Sequence, residues 1–268
     1  AQGRILLSGT PIQNDLSEIW NLFEFANPGY LGSYQQFGDR FILPIEKKKD
    51  KEKQHLLKQL ISPFILRRTK AEVLDELPEK TELIVPVELS EEEMAIYENI
   101  RTRTLSGLQS EKINPIEALM ALTKLRQAAC SPELVDKHLT IPSSKIRVFL
   151  ELVSELKENK HRALVFSQFT SFLALVRQAL DKAGIEYLYL DGSVPAAQRK
   201  KLVETFQNGD MPLFLISLKA GGTGLNLTAA DYVIHLDPWW NPAVEDQASD
   251  RAYRIGQKCP VTIYKLIS

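Results

Sequence analysis

The sequence predicts an α/β fold around a parallel β-sheet, because short apolar runs alternate with helical segments in its second half. The runs with the composition of buried strands are ALVF (163–166), YLYL (187–190), LFLI (213–216), YVIHL (232–236) and VTIYKLI (261–267). Strands and helices that alternate at this spacing are joined by right-handed crossovers, which produces a parallel sheet covered by helices on both faces.

Helices fill most of the remaining pattern. Apolar residues recur at helical spacing over 169–180, after the first strand. Upstream, 71–140 is predicted to be helical, with no strand pattern before about residue 160. Ser90 and Glu93 form a capping box at the start of one helix in this stretch. Asn114 precedes a proline, and the two are a cap and first-position pair for another helix.

The first part of the chain is predicted to contain one strand, one helix and an exposed insertion. GRILLS (3–8) has the composition of a short buried strand. Asp15 is placed to cap the following helix, with Glu18 three residues later as in a capping box. The mixed-charge run IEKKKDKEKQH (45–55) is expected to be a solvated insertion, with a DNA-facing role as the alternative.

Composition excludes several classes of protein. The 268 residues are 44% hydrophobic and 25% charged, with a formal net charge of −1, so any nucleic-acid contact must come from local basic patches. The two cysteines and four histidines have no metal-ligand spacing, which argues against a zinc site and a disulfide framework. This cysteine usage favours an intracellular protein, located in the cytoplasm or nucleoid of a prokaryote or in a nucleus. No apolar run is long enough to span a bilayer, and both chain ends are expected to be internal to a longer protein.

A glycine cluster follows the predicted strand at 213–216. Gly221, Gly222 and Gly224 would let the backbone turn tightly and present N–H groups to a phosphate. A plain structural turn is the alternative. The cluster is not a dinucleotide-binding fingerprint, because Leu227 occupies the position of the third glycine.

A helix starting at Asn241 and Pro242 is predicted to carry a polar stripe. Gln247, Arg251 and Arg254 fall at positions i, i+4 and i+7 of that helix. Two arginines three residues apart repel each other by about 0.2–0.5 kcal/mol, which is best explained by an anion that both can reach. Local ion pairs with neighbouring acidic residues are the alternative.

Several long motifs, in order, resemble the Swi/Snf ATPase family within superfamily two of helicase-like motors. ISLKAGGTGLNL, DPWWNP and DQASDRAYRIGQ resemble the region of its motifs five and six. LLSGTPIQN resembles motif three, PFILRRTK the basic linker block, ALVFSQF motif four and YLDGSVPAAQR the motif after it.

The resemblance implies a DNA-dependent ATPase that moves along double-stranded DNA, with ATP and Mg²⁺ bound in the intact parent protein. It implies a RecA-like lobe over 141–268, a helical insertion over 71–140, and the end of a first RecA-like lobe, a protruding insertion and a linker over 1–70. The expected partners are double-stranded DNA, the first RecA-like lobe and DNA-bound proteins. A strand-separating helicase and a non-catalytic DNA- or protein-binding module remain as alternatives.

One departure from the family limits what this chain is expected to do. No G-x-x-x-x-G-K-[ST] loop occurs in it, and the family's acidic Mg²⁺ motif is also missing. Phosphoryl transfer needs a phosphate cradle, Mg²⁺ ligands and a positioned water. The isolated chain is therefore expected to be inactive and to hold no metal.

The resemblance also implies roles for individual residues. Arg251 and Arg254 would be arginine fingers aligned by Gln247, and Gly222 and Gly224 would contribute to nucleotide binding. The DNA contacts would be Ser167, Gln168, Lys219, Thr223 and Trp240. Packing of Trp239 and Trp240 into the core is the alternative to DNA contact by tryptophan, and we expect one of each, with Trp240 facing DNA.

Overall fold

The computed structural model divides the chain into two compact units, Ala1–Asp75 and Glu76–Ser268. The residues that it describes are 3–9, 11–12, 15–68, 77–108, 115–221 and 224–268. Among the described helices, none is long and apolar enough to cross a membrane.

The first unit is built from helices around a small aromatic core. The helices are α1 (Ser17–Ala26), α2 (Tyr34–Phe37), a π-helix (Gly38–Lys47), α3 (Lys51–Ile61) and a 3-10 turn (Ser62–Phe64). Phe37, Phe41 and Leu57 are buried together, and the two phenyl rings lie 5.4 Å apart. The charged run predicted to be an exposed insertion is mostly exposed, but it is helical, and the Asp50 side chain caps α3.

The predicted strand at residues 3–8 is wrong. This segment is not a strand, and Ile5 is 86% exposed. A strand needs a neighbour to pair its backbone groups, and the described part of the first unit contains no other strand. The helix after it is present, but Asp15 is not its N-cap residue; its carboxylate accepts hydrogen bonds from the backbone and hydroxyl of Ser17.

The second unit contains a six-stranded sheet in which every described pairing is parallel, as predicted. Its strands are β1 (Lys80–Pro86), β2 (Ala163–Ser167), β3 (Tyr187–Leu190), β4 (Leu213–Ser217), β5 (Tyr232–His235) and β6 (Val261–Ile267). They lie in the order β1-β6-β5-β2-β4-β3, so β2 has β5 on one side and β4 on the other.

Strand β1 overturns the prediction that no strand occurs between 71 and 160. It pairs in parallel with β6 over its whole length, from Lys80 beside Val261 to Pro86 beside Ile267. It is an edge strand with Ile84 67% exposed, so its sequence lacks the continuous apolar run of the buried strands. Its partner lies about 180 residues further along the chain, where no local pattern can indicate it.

Helices pack on both faces of the sheet. The described helices of the second unit include α4 (Glu91–Leu108), α5 (Pro115–Ala128), α6 (Ser144–Glu158), α7 (Thr170–Ala183), α8 (Ala196–Asn208), α9 (Leu218–Gly221) and α10 (Pro242–Ser249). Alternate residues of β2 enter different cores: Val165 packs in the cluster with α6 and α7, and Phe166 packs in the cluster with Phe206 of α8. The start of α5 at Pro115 agrees with prediction, while its predicted cap Asn114 lies outside the described residues.

Glu93 joins the first turn of α4 to the first turn of α6. The predicted capping box is confirmed, because the Glu93 carboxylate accepts from Ser90 N–H (2.9 Å) and the Ser90 hydroxyl accepts from Glu93 N–H (3.2 Å). The same buried carboxylate accepts from Ser144 N–H (3.0 Å) and from the Ser144 hydroxyl (2.5 Å). Glu93 therefore links the helical segment to the sheet-containing core as well as capping its own helix.

We expect Glu93→Ala to lower the free energy of unfolding by about 2–3 kcal/mol, because it leaves the buried donors of Ser144 without an acceptor and removes the capping contact with Ser90 N–H. The measurement is chemical denaturation followed by circular dichroism. The matched control is Glu92→Ala, an exposed glutamate of the same helical turn, with an expected change of about 0.5 kcal/mol or less. Equal losses in the two variants would contradict this role.

Candidate functional site

The predicted site residues lie at the carboxyl edge of the parallel sheet. The neighbouring strands β2, β4 and β5 all end there, and the loops that follow them carry the glycine cluster, the tryptophan pair and the segment with Gln168. In open parallel α/β sheets, ligands bind in the crevice outside the carboxyl ends of the strands. The fold thus places the candidate residues where such sheets bind ligands.

The glycine segment turns tightly after β4. It begins with α9, and a Cβ added to Gly221 would lie 2.8 Å from the ring atom Cε1 of Phe166, so a side chain there has no room. Gly224 has φ +54°, a left-handed conformation that favours glycine. Lys219 is exposed on α9. The predicted contacts of Gly222 and Thr223 lie outside the described residues.

The arginine segment does not form the predicted helical stripe. Asn241 caps α10 as predicted, accepting from Ala243 N–H at 3.1 Å, but the helix ends at Ser249. Arg251 and Arg254 therefore lie in turns beyond the helix, and the prediction that they share one helical face with Gln247 is wrong. The chain leaves helical geometry after Asp250, and the following turns include Gly256 at φ +99°.

The three residues of the predicted stripe differ in exposure. Arg254 is exposed, Gln247 is half-buried, and Arg251 is only 8% exposed. Burial, and then repulsion from Arg254, lower the pKa of Arg251, while the nearby Asp250 acts in the opposite direction. Two guanidinium groups close enough to repel each other are a favourable place for an anion.

The glycine and arginine segments are joined by direct hydrogen bonds. Leu227 N–H donates to Arg251 C=O at 2.9 Å, and Arg254 Nη1 donates to Leu225 C=O at 3.4 Å. Two segments that are separated by strand β5 and helix α10 thus form one continuous surface.

Gln257 holds the glycine and arginine segments together, and the sequence analysis assigned it no role. Its buried side-chain Nε2 donates to the carbonyl oxygens of Thr228 (3.1 Å), Ala230 (2.8 Å) and Ala252 (3.1 Å). Its Oε1 accepts from the backbone of Lys258 at 2.9 Å. The only signal for it in the sequence is its position at the end of the last motif, directly after Gly256.

Two predicted DNA contacts lie where strand β2 ends: Ser167 is its last residue, and the half-buried Gln168 begins the loop after it. Ser167 is 1% exposed, and its hydroxyl accepts from Phe169 N–H at 3.0 Å. The Gln168 atom Nε2 is buried with no hydrogen-bond partner in the described part of the chain, and Oε1 accepts from Arg126 Nη1 at 2.8 Å. In this arrangement neither side chain presents a donor at the surface, because the Ser167 hydroxyl and the Gln168 amide nitrogen are both buried.

Trp239 and Trp240 differ in exposure, as expected. Trp240 is 67% exposed, whereas Trp239 is half-buried and packs beside the core of the second unit. The two rings lie 5.8 Å apart. Trp239 N–H donates to Glu245 Oε1 at 2.6 Å, which fixes the backbone from which Trp240 projects.

A buried acid lies at the start of the tryptophan loop. Asp237 accepts from Gln168 N–H at 3.1 Å, so it joins the loops after β2 and β5. Burial raises the pKa of Asp237 to about 6, although the Ser167 hydroxyl, the Gln168 N–H and Lys145 favour its charged form. Lys145 is also buried, and burial lowers its pKa. The sequence analysis assigned a role to neither residue. A polar residue directly after a predicted strand, such as Asp237, is a common turn signal. A lysine in a helix, such as Lys145, is usually exposed.

The titratable residues do not assemble into a metal centre in the part of the chain that is described. No group of three or more histidine, cysteine, aspartate or glutamate side chains is arranged there to hold a metal ion.

Comparison with known proteins identifies two family models. The SNF2-related domain matches residues 1–134, and the helicase conserved C-terminal domain matches residues 144–256. In solved structures, the chain resembles the SWI2/SNF2 ATPase core of Sulfolobus solfataricus in complex with dsDNA, with 36% sequence identity and a TM-score of 0.63. That match covers 98% of this chain and 57% of the Sulfolobus chain.

Curated proteins from bacteria and humans give the same assignment. The chain is 43% identical to YwqA of Bacillus subtilis, whose name places it among ATP-dependent helicases and translocases, over 98% of this chain and 30% of YwqA. It is 36% identical to the human SWI/SNF-related matrix-associated actin-dependent regulator of chromatin subfamily A member 1, over 99% of this chain and 27% of that protein. The chain thus spans less than a third of the length of either relative. It belongs to the SNF2, or Swi/Snf, ATPase family and covers the C-terminal part of that family's motor.

Proposed function

We propose that this chain supplies one side of a composite ATP site and part of the DNA contact in an ATP-driven double-stranded-DNA translocase. The observation that carries the proposal is the continuous surface formed by the glycine and arginine segments, with Leu227 bonded to Arg251 and Arg254 to Leu225. This surface brings guanidinium groups and a glycine turn together at the carboxyl edge of the sheet, where a phosphate-bearing ligand is expected.

In this proposal the arginines act on a nucleotide that another lobe presents. Arg254, which is exposed, reaches the γ-phosphate, and Arg251 supports it from its more buried position. A planar, permanently charged guanidinium suits the spreading charge of phosphoryl transfer. Gln247 aligns the pair, and Gly222 and Gly224 contribute to nucleotide binding.

The remaining parts of the ATP site are assigned to the first lobe. ATP is the substrate, and Mg²⁺ with the phosphate-binding loop belongs to that lobe, because the loop motif is missing from this sequence. The chain alone is therefore proposed to be inactive. In the intact protein, closure of the two lobes would complete the site during each cycle of stepping.

DNA contact is proposed for the exposed residues of the same edge, Lys219 and Trp240, together with Thr223. The DNA-bound state of the similar Sulfolobus ATPase core supports a duplex as the ligand. Ser167 and Gln168 contribute from below by fixing the loop after β2, since their side chains are engaged there. Contacts of this kind reach phosphates and carry no base information, so binding should be sequence-tolerant and sensitive to salt.

The proposed division of the chain follows the family pattern. Residues 1–70 hold the end of the first lobe, a protruding insertion and the linker, 71–140 is the helical insertion, and 141–268 is the second RecA-like lobe. Strand β1 modifies this proposal, because it extends the sheet of 141–268 from within the stretch 71–140.

We expect Arg254→Lys in the full-length protein to lower the rate of ATP hydrolysis about a hundredfold or more, since an ammonium cannot replace the two-pronged contact to phosphate. DNA affinity should change less than about twofold. A coupled ATPase assay at saturating DNA and a filter-binding titration measure the two quantities.

The control for Arg254→Lys is Arg147→Lys, the same change at an exposed arginine of α6 that pairs with Glu151 at 3.6 Å. It should leave hydrolysis near the wild-type rate. Wild-type turnover by Arg254→Lys would refute the arginine-finger assignment.

We expect Trp240→Ala to uncouple translocation from hydrolysis, because the exposed indole is the large side chain available to engage the duplex at this edge. Triplex displacement should slow about tenfold, because the loss of one aromatic contact to nucleic acid is worth about 1–3 kcal/mol. DNA-stimulated hydrolysis should fall less than about threefold.

Ile84→Ala serves as the control for Trp240→Ala, since Ile84 is another 67% exposed apolar side chain, on the edge strand β1. Triplex displacement at the wild-type rate by Trp240→Ala would count against the DNA contact. A parallel strand-displacement assay separates a duplex translocase, which should leave the strands paired, from a strand-separating helicase.

A further inference from the structure

We propose that Arg126 of helix α5 is a positioning residue that sets the two loops of the DNA-facing edge and, through them, the exposed Trp240. The proposal rests on the DNA contact proposed above and deepens it by naming what holds that contact in place. Arg126 is far from these loops in sequence, 42 residues before Gln168 and 112 before Pro238.

The guanidinium of Arg126 bonds to both loops at once. Its Nη1 donates to Gln168 Oε1 at 2.8 Å, on the loop after β2. Its Nη2 donates to Pro238 C=O at 2.7 Å, on the loop after β5. Charge-assisted hydrogen bonds of this length are stronger than those between neutral groups, so this pair ties the two loops together firmly.

The same guanidinium also packs on the half-buried tryptophan. Its central carbon lies 4.9 Å from the centre of the Trp239 ring and 5.9 Å from that of Phe169. Trp239 in turn lies against Trp240, with ring centres 5.8 Å apart. Arg126 therefore contacts Trp239, and Trp239 packs against Trp240, which is 67% exposed.

The contact with Arg126 also fixes the orientation of the Gln168 side-chain amide. Because Arg126 can only donate, its contact identifies the Gln168 atom that it meets as the carbonyl oxygen. The amide nitrogen is buried, and the backbone N–H of Gln168 donates to the Asp237 carboxylate at 3.1 Å. Arg126 and Asp237 thus hold the Gln168 loop from two sides.

Arginine is suited to this position in a way that lysine is not. Two separate nitrogens of a flat group reach two carbonyl oxygens while the face of the group rests on an indole. A lysine ammonium keeps the charge but is a compact point donor without a flat face. Arg126→Lys therefore tests geometry while leaving net charge unchanged.

The experiment compares wild type, Arg126→Lys and Lys124→Ala in the full-length protein. Lys124 is an exposed cation two residues away on the same helix, so Lys124→Ala controls for a change in charge near the edge. The readouts are the duplex-DNA concentration that gives half-maximal ATPase stimulation and the KM for ATP. We expect Arg126→Lys to raise the half-maximal DNA concentration about tenfold, the size of one lost charge-assisted contact, and to change the KM for ATP less than about twofold.

A second readout follows the tryptophans directly. In full-length protein in which every other tryptophan, Trp20 included, is replaced by phenylalanine, the remaining tryptophans are Trp239 and Trp240. Acrylamide should quench their fluorescence more strongly in Arg126→Lys than in wild type, and equally in Lys124→Ala and wild type, because the indole loses its covering guanidinium. If Arg126→Lys folds poorly, Gln168→Met removes the acceptor instead and should shift both readouts in the same direction.

The outcomes separate this inference from the proposed function. A wild-type protein that neither binds duplex DNA nor is stimulated by it would overturn both. A DNA-stimulated wild type in which Arg126→Lys matches Lys124→Ala in DNA concentration and quenching would overturn the positioning role alone. A loss of kcat with an unchanged half-maximal DNA concentration would also overturn it, since that pattern indicates a general structural defect.

Discussion

The joining of the glycine and arginine segments is the constraint on which the functional surface depends. The glycine segment follows strand β4, whereas the arginine segment follows helix α10, so the parallel strands alone do not hold the two segments in contact. Hydrogen bonds from Leu227 to Arg251 and from Gln257 to Thr228 and Ala230 do so. Because Gln257 is buried and bonded through both ends of its amide, the arginines can project from a fixed backbone.

Buried and half-buried polar groups at this edge support the exposed ones. Asp237, Gln168 and Arg126 link the loops after β2 and β5 to helix α5, while Lys145 lies close enough to favour the charged form of Asp237. Burial still disfavours the charged form of Asp237, whose pKa is raised despite these partners. Rigid placement of a loop proposed to face DNA, where a displacement of about 1 Å matters, would compensate for that cost.

Much of the second unit could be predicted because its information is local. Four of the six strands are continuous apolar runs, and β6 also has a recognisable composition, since buried strands of a parallel sheet are apolar on both faces. The edge strand β1 was not predicted from the sequence, because one side of it is exposed and its partner β6 is distant in sequence. The opposite error occurred at residues 3–8, where an apolar run has no partner strand in the described part of its unit and remains exposed.

The sequence by itself determined the family, the parallel α/β sheet and the residue types at the candidate site, because motifs and apolar periodicity depend on residues that are close together in the sequence. Tertiary structure alone decided that α10 ends before Arg251, that the Ser167 side chain is buried, and that the Gln168 amide nitrogen is buried as well. It also decided which residues support the site, namely Gln257, Asp237 and Arg126. These properties depend on which distant groups compete for each buried hydrogen bond, and that competition exists only once the chain is folded.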